Sequence, residues 1–192
     1  MGALDDAPLI QPASREEWRA WLEQHHATAN GAWLVTWRRV SGEQPLPYED
    51  QIEEALCFGW FDSTAGVVDD RRSKLYFAPR KPGSGWAATN KARLERLIPA
   101  GRMAPAGLAV VERAKADGSW TILDSVERLE VPPDLQAALD RVPEAAERFA
   151  AFPPSARKQM LEWVAFAKRP ETRDRRIDAI ADAAARGERA RG

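Results

Sequence analysis

Prolines cut the second half of the chain into short helical lengths. A proline inside a helix removes a hydrogen bond and clashes with the preceding turn, yet it is well tolerated in the first turn. Pro105 therefore marks a helix start, and Gly118 its stop. Beyond Gly118 the sequence reads as almost wholly helical, with Pro132-Pro133, Pro143 and Pro153-Pro154 as its punctuation. The spacing predicts helices at about 133–141, 143–151 and 154–168, with a last one at about 171–187.

The first half follows a different pattern. Residues 1–13 read as a mobile leader. Ser14-Arg15-Glu16-Glu17 is a capping box, with Trp18, Trp21 and Leu22 following at helical spacing. Residues 32–39 alternate: Trp33, Val35 and Trp37 on one face, Ala32, Leu34 and Thr36 on the other, which is a strand. Tyr48 to Phe58 reads as a helix ended by Gly59. Trp60–Val68 and Lys74–Ala78 read as a hairpin, and from Ser84 a helix is predicted to about Ile98. The fold class is therefore α+β: a small antiparallel sheet of about three strands packed with helices, followed by a helical C-terminal region. The composition shift near 118 divides the chain into a mixed region, 14–118, and a helical region, 119–190, expected to share one core. Trp33, Val35, Trp37, Ile52, Leu56, Trp163 and Ile177 are the expected core anchors.

Composition narrows the function classes. Hydrophobic residues make up 44% and charged residues 30% of 192 residues, so a packed core is expected. The net charge of −1 gives no global field for nucleic acid or anionic membranes. No apolar run is long enough to span a bilayer, and Met1–Asp6 has neither a basic start nor an apolar stretch, so a cytoplasmic protein is expected. Cys57 stands alone, which excludes an intrachain disulfide. His25 and His26 are the only histidines. Side by side on a helix they diverge, so they suit a helix C-terminus better than a metal. No metal site, cofactor or activated nucleophile is expected.

Two constellations remain. The first is Trp60, Asp62, Ser63, Arg80, Lys81, Ser84, Trp86, Asn90 and Arg93. Trp60, Asp62 and Thr64 would alternate onto one strand face, and Trp86, Asn90 and Arg93 would share one helix face. The loop Arg80–Gly85 feeds that helix and would offer free amides and two cations to an anion, with rings for a planar ligand. Equally, Trp60 and Trp86 can be core anchors, Asp62 can pair with Arg80 or Arg93, and Ser84 can be an N-cap. The second constellation is basic: Arg157, Lys158, Lys168, Arg169, Arg173 and Arg176, within a segment 155–192 that carries 10 Lys/Arg against 6 Asp/Glu. It suits an acidic protein partner, but interleaved acids argue for a solvated face and against specific nucleic-acid binding.

Three stretches carry a family resemblance: Glu54–Ser63; Phe77–Trp86 continuing to Asn90 and Arg93; and Pro153–Lys158 with Trp163 and Ala167–Ile177. Together they resemble the YdeI/OmpD-associated family, also labelled bacteriocin-protection proteins, from about residue 14 to 187. The resemblance implies a stress or antimicrobial-peptide protection role and supplies no catalytic residues. Binding of a small anionic or aromatic ligand is the expected function. The alternatives are an enzyme using the Trp60-Asp62-Arg80-Trp86 pocket, with Asp62 as its acid/base, and a protein-interaction protein acting through the basic helices.

Overall fold

The computed structural model describes residue 4 and residues 6–190. These divide into two compact units, Met1–Ser84 with Thr89–Asp117, and Gly85–Ala88 with Gly118–Gly192. The fold is α+β, with one sheet and a helical C-terminal region.

In the first unit a four-stranded sheet runs in the order β1 (Leu9–Ile10), β2 (Ala32–Trp37), β4 (Arg72–Pro79), β3 (Trp60–Val67). The three longer strands are antiparallel, as the alternation predicts, with Trp33 opposite Tyr76 and Asp62 opposite Phe77. The addition is β1, which pairs parallel to β2 inside what reads in sequence as a leader. A bulge between Asp62 and Ala65 breaks the β3 alternation, so the expected run of Trp60, Asp62 and Thr64 on one face stops at Asp62.

Helices α1 (Arg15–His25) and α2 (Tyr48–Cys57) cover one sheet face. The Ser14 hydroxyl accepts from the Glu17 amide, and Glu17 reaches back to the Ala13 amide, so the capping signal acts as expected. Trp18 lies 5.4 Å from the Phe77 ring and Trp21 meets Trp60 edge-on at 5.9 Å. The Trp18 indole N–H donates to the Gln51 carbonyl at 3.1 Å, which ties α1 to α2. Helices α3 (Ala88–Leu97) and α4 (Pro105–Ala116) follow. Gly107 lets α4 approach α2 closely: a Cβ there would sit 2.2 Å from the Cys57 carbonyl oxygen. Five of the seven expected anchors are buried; Trp37 and Trp163 are only half-buried, each beneath an arginine, Arg71 at 5.5 Å and Arg176 at 5.3 Å.

The second unit is helical: α5 (Asp124–Glu127), α6 (Pro133–Arg141), α7 (Ala145–Ala151), α8 (Pro154–Ala165) and α9 (Pro170–Ala185). Leu135, Leu139, Phe149, Met160, Val164 and Ile180 form its core. No helix of the described residues is long and apolar enough to cross a membrane.

Candidate functional site

The helix predicted from Ser84 begins four residues later, at Ala88. Two contacts account for the delay. Trp86, on the irregular segment before the helix, is 1% exposed and packs 5.2 Å from Trp120 within the second unit. The Ala88 amide then donates to the Glu127 carboxylate at 3.3 Å. Trp86, Asn90 and Arg93 therefore do not share a helix face, and the first amide of α3 already holds a carboxylate of the chain. Gly85 packs closely: a Cβ there would lie 2.8 Å from the Phe166 ring and 2.9 Å from the Leu123 side chain, so one of them would have to shift.

Trp60 is likewise a core residue at 1% exposure, its indole N–H donating to the His26 carbonyl at 3.3 Å. Ser63 and Lys81 are exposed, and Ser84 is half-buried. What the first unit does bring together is Asp62, Arg80, Asn90 and Arg93, joined by Tyr48 and Glu49. Tyr48 donates its hydroxyl to Asp62 at 3.2 Å. Burial, then the Asp62 charge, holds the phenol above its usual range, so it stays a donor. Arg93 grips Glu49 through two bonds of 2.9 and 2.8 Å and donates a third to Asn90 at 2.8 Å. The bidentate contact raises the Arg93 guanidinium and lowers the Glu49 carboxyl. Arg80, 8% exposed, lies over the Phe61 ring at 5.6 Å. Burial pulls it down to about 10 against the pull of Asp62, so it remains a cation at neutral pH.

Sequence reasoning missed Tyr48, although it opens α2. Its half-exposed ring lines an open groove of about 490 Å³ with Thr36, Leu46, Pro47, Gln51 and Leu75. Arg38, Arg39 and Lys74 also line it, and no carboxylate does. Arg38 and Arg39 are exposed, while Lys74 turns its ammonium to the Trp33 ring at 4.1 Å.

Residues 10–110, just over half of the chain, match a profile described as a domain of unknown function, DUF8412. The chain belongs to that family. The DUF8412 segment contains the whole Tyr48 groove and the Asp62–Arg93 cluster. Residues 128–187 match a second profile, described as Bacteriocin-protection, YdeI or OmpD-Associated. The expected resemblance thus holds over the C-terminal segment. The Glu54–Ser63 and Phe77–Arg93 stretches fall instead within the DUF8412 match, so its extent is shorter than 14–187. No curated protein and no solved structure matches the chain.

Beside the groove, the DUF8412 segment holds a second polar cluster. Glu54 is fully buried and accepts from Arg15, Arg19 and Arg102. Arg15 also reaches Asp50 and Glu53, and Arg96 bridges Glu49 and Glu53. These pairs lock the acidic face of α2 to its neighbours. Burial, with the Glu54 charge, pushes the Cys57 thiol up to about 11, so it is no nucleophile at neutral pH. The His25 and His26 rings each contact a carbonyl of their own last turn, Trp21 and Leu22, at 2.8 Å. Among the described residues no three His, Cys, Asp or Glu side chains gather where a metal could sit.

In the second unit, the basic residues are largely engaged. Lys158 pairs with Glu127 at 2.6 Å, and Arg173 holds Asp134 through bonds of 2.6 and 3.0 Å. Arg176 donates to the Trp163 carbonyl, and Arg157 is half-buried. Lys168 and Arg169 lie exposed between α8 and α9.

Proposed function

We propose that the DUF8412 segment binds a small anionic molecule with a planar apolar part, seated in the groove beside Tyr48. The observation that carries this reading is the lining: apolar Leu46, Leu75 and the Tyr48 ring, exposed Arg38 and Arg39, and no carboxylate. Its volume suits a ligand of ordinary metabolite size. An aromatic face lies against Tyr48, and the anionic group turns to the arginines, which prefer flat anions. Asp62 fixes the Tyr48 hydroxyl, while Arg93 secures Glu49, the next residue of α2. These residues of the sequence-level site thus position one wall of the groove. Asp62 is assigned a positioning task through its bond to the Tyr48 hydroxyl.

Naphthoate is a suitable probe, with naphthylmethanol as its neutral counterpart, both followed by calorimetry. Naphthoate should bind more tightly than the alcohol. Tyr48→Ala and the Arg38→Ala, Arg39→Ala double variant should each weaken it about tenfold or more, the loss of one good contact. Equal binding of acid and alcohol, or full affinity in both variants, would refute the reading.

A further inference from the structure

The sheet has an open edge at β3, since the strand order ends there. The hairpin bond from the Val68 amide to the Arg72 carbonyl, 3.1 Å, sets the phase of the β3–β4 ladder. Alternate residues bond inward in an antiparallel pair, so Gly66 bonds with its partner Lys74, and Ala65 and Val67 turn their N–H and C=O groups outward. Both residues are exposed, Val67 at 66%. Nothing among the described residues covers them. Natural sheets usually guard an edge with charge, proline or a bulge. Here the bulge lies before Ala65, and Ala65-Gly66-Val67 that follows has neither charge nor proline. Ala65 and Gly66 also line the Tyr48 groove, so the groove opens onto this edge.

We propose that β3 accepts a short extended acidic peptide as a fifth strand, with alternate side chains entering the groove. The backbone of Ala65 and Val67 supplies the ladder, which is the usual source of affinity in strand addition. Side-chain choice follows from the groove. It carries the exposed Arg38 and Arg39 with no carboxylate, so glutamate is favoured and lysine is repelled. The residues between the glutamates turn to the opposite face of the sheet, away from the groove. Because it seats these side chains in the groove, the inference rests on the ligand-binding reading above and narrows the ligand class to a peptide.

The test uses the full chain and a blocked peptide of alternating glutamate and valine. Amide hydrogen exchange is followed by NMR. The peptide should slow exchange at Ala65 and Val67. Replacing its glutamates by lysine, or methylating its outward backbone nitrogens, should weaken binding about tenfold or more. Val67→Pro removes one outward donor without touching an inward bond, and should weaken the peptide similarly while leaving naphthoate binding intact. Retained naphthoate binding also shows that this variant is folded. No peptide binding, equal binding of the lysine peptide, or unaltered affinity in Val67→Pro would overturn the proposal. So would protection of the same amides by raised protein concentration alone, which would give the edge to a second copy of the chain. If naphthoate binds and the peptide does not, only the strand-addition proposal fails; if naphthoate also fails, so does the ligand reading.

Discussion

Tyr48, the first residue of α2, donates its hydroxyl to the Asp62 carboxylate on β3 across 3.2 Å. The two residues are 14 positions apart, and the bond sets the Tyr48 ring against the groove. The same carboxylate disfavours loss of the phenol proton, after burial, which acts in the same direction. Asp62→Asn should therefore lower the Tyr48 pKa toward the ordinary tyrosine value of about 10. Ultraviolet difference titration can read this, because the chain has only 2 tyrosines and Tyr76 is buried. An unchanged titration in the variant would mean that the bond does not form in solution.

Glu54→Ala should be strongly destabilising. The carboxylate is fully buried, and its removal leaves Arg15, Arg19 and Arg102 without their shared partner. Removing one member of a buried charge cluster costs up to about 3–5 kcal/mol, and the partial exposure of the three arginines places the loss toward the lower end. Urea denaturation measures it; a loss near zero would show that the arginines are satisfied by solvent.

Gly107→Ala tests the close approach of α4. In an exposed helix this change gains about 1 kcal/mol from backbone entropy. Here the new methyl would meet the Cys57 carbonyl oxygen at 2.2 Å, a contact with backbone that cannot rotate away. A net loss of about 1–3 kcal/mol is expected, as for other overpacked sites. A gain in stability would show that α4 can withdraw without cost.

These contacts also explain what could be read from the chain. Local signals placed most elements: Ser14 caps α1, and Pro105, Pro133 and Pro154 open α4, α6 and α8 at the expected residues. Failures came where a partner distant in sequence decides. The start of α3 depends on Glu127, 39 residues away, and Trp86 is held by Trp120. β1 has two residues and exists only by pairing with β2. At the site, the structural alternative pairs Asp62 with Arg80 or Arg93. Its hydrogen bond comes from Tyr48, Arg93 takes Glu49, and Arg80 interacts with Asp62 electrostatically. The groove joins residues from β2, the loop before α2, β3 and β4, so no single stretch of sequence contains it.

Stability in acid should depend on Glu127. The Lys158 ammonium, and to a lesser degree the Ala88 amide, hold its carboxyl below the usual range, whereas burial acts the other way. A depressed folded-state pKa means that the stabilisation is complete above the unfolded value of about 4.3. It is lost as pH falls through the folded value. Glu127→Gln should thus be less stable than wild type at neutral pH, by about 1 kcal/mol for a partly exposed pair. The two proteins should converge as pH drops below about 4. A gap that persists in strong acid would assign the loss to packing instead of charge.

The basic helices should bind no particular DNA sequence. Lys158, Arg173 and Arg176 are held by Glu127, Asp134 and the Trp163 carbonyl, so moving them to phosphates would break bonds inside the unit. Lys168, Arg169 and Arg175 remain exposed, with Glu171 and Asp174 between them. Each phosphate contact contributes a salt slope of about −0.9, so these three cations together would give a slope of only about −3. Arg173→Ala should lower the unfolding temperature of the chain and leave its weak DNA affinity almost unchanged. Affinity measured across a salt series on several unrelated duplexes decides the matter. Sub-micromolar binding at physiological salt that discriminates between duplexes, and is lost in a folded Arg173→Ala, Arg176→Ala variant, would mean that these arginines leave Asp134 and Trp163 for the nucleic acid.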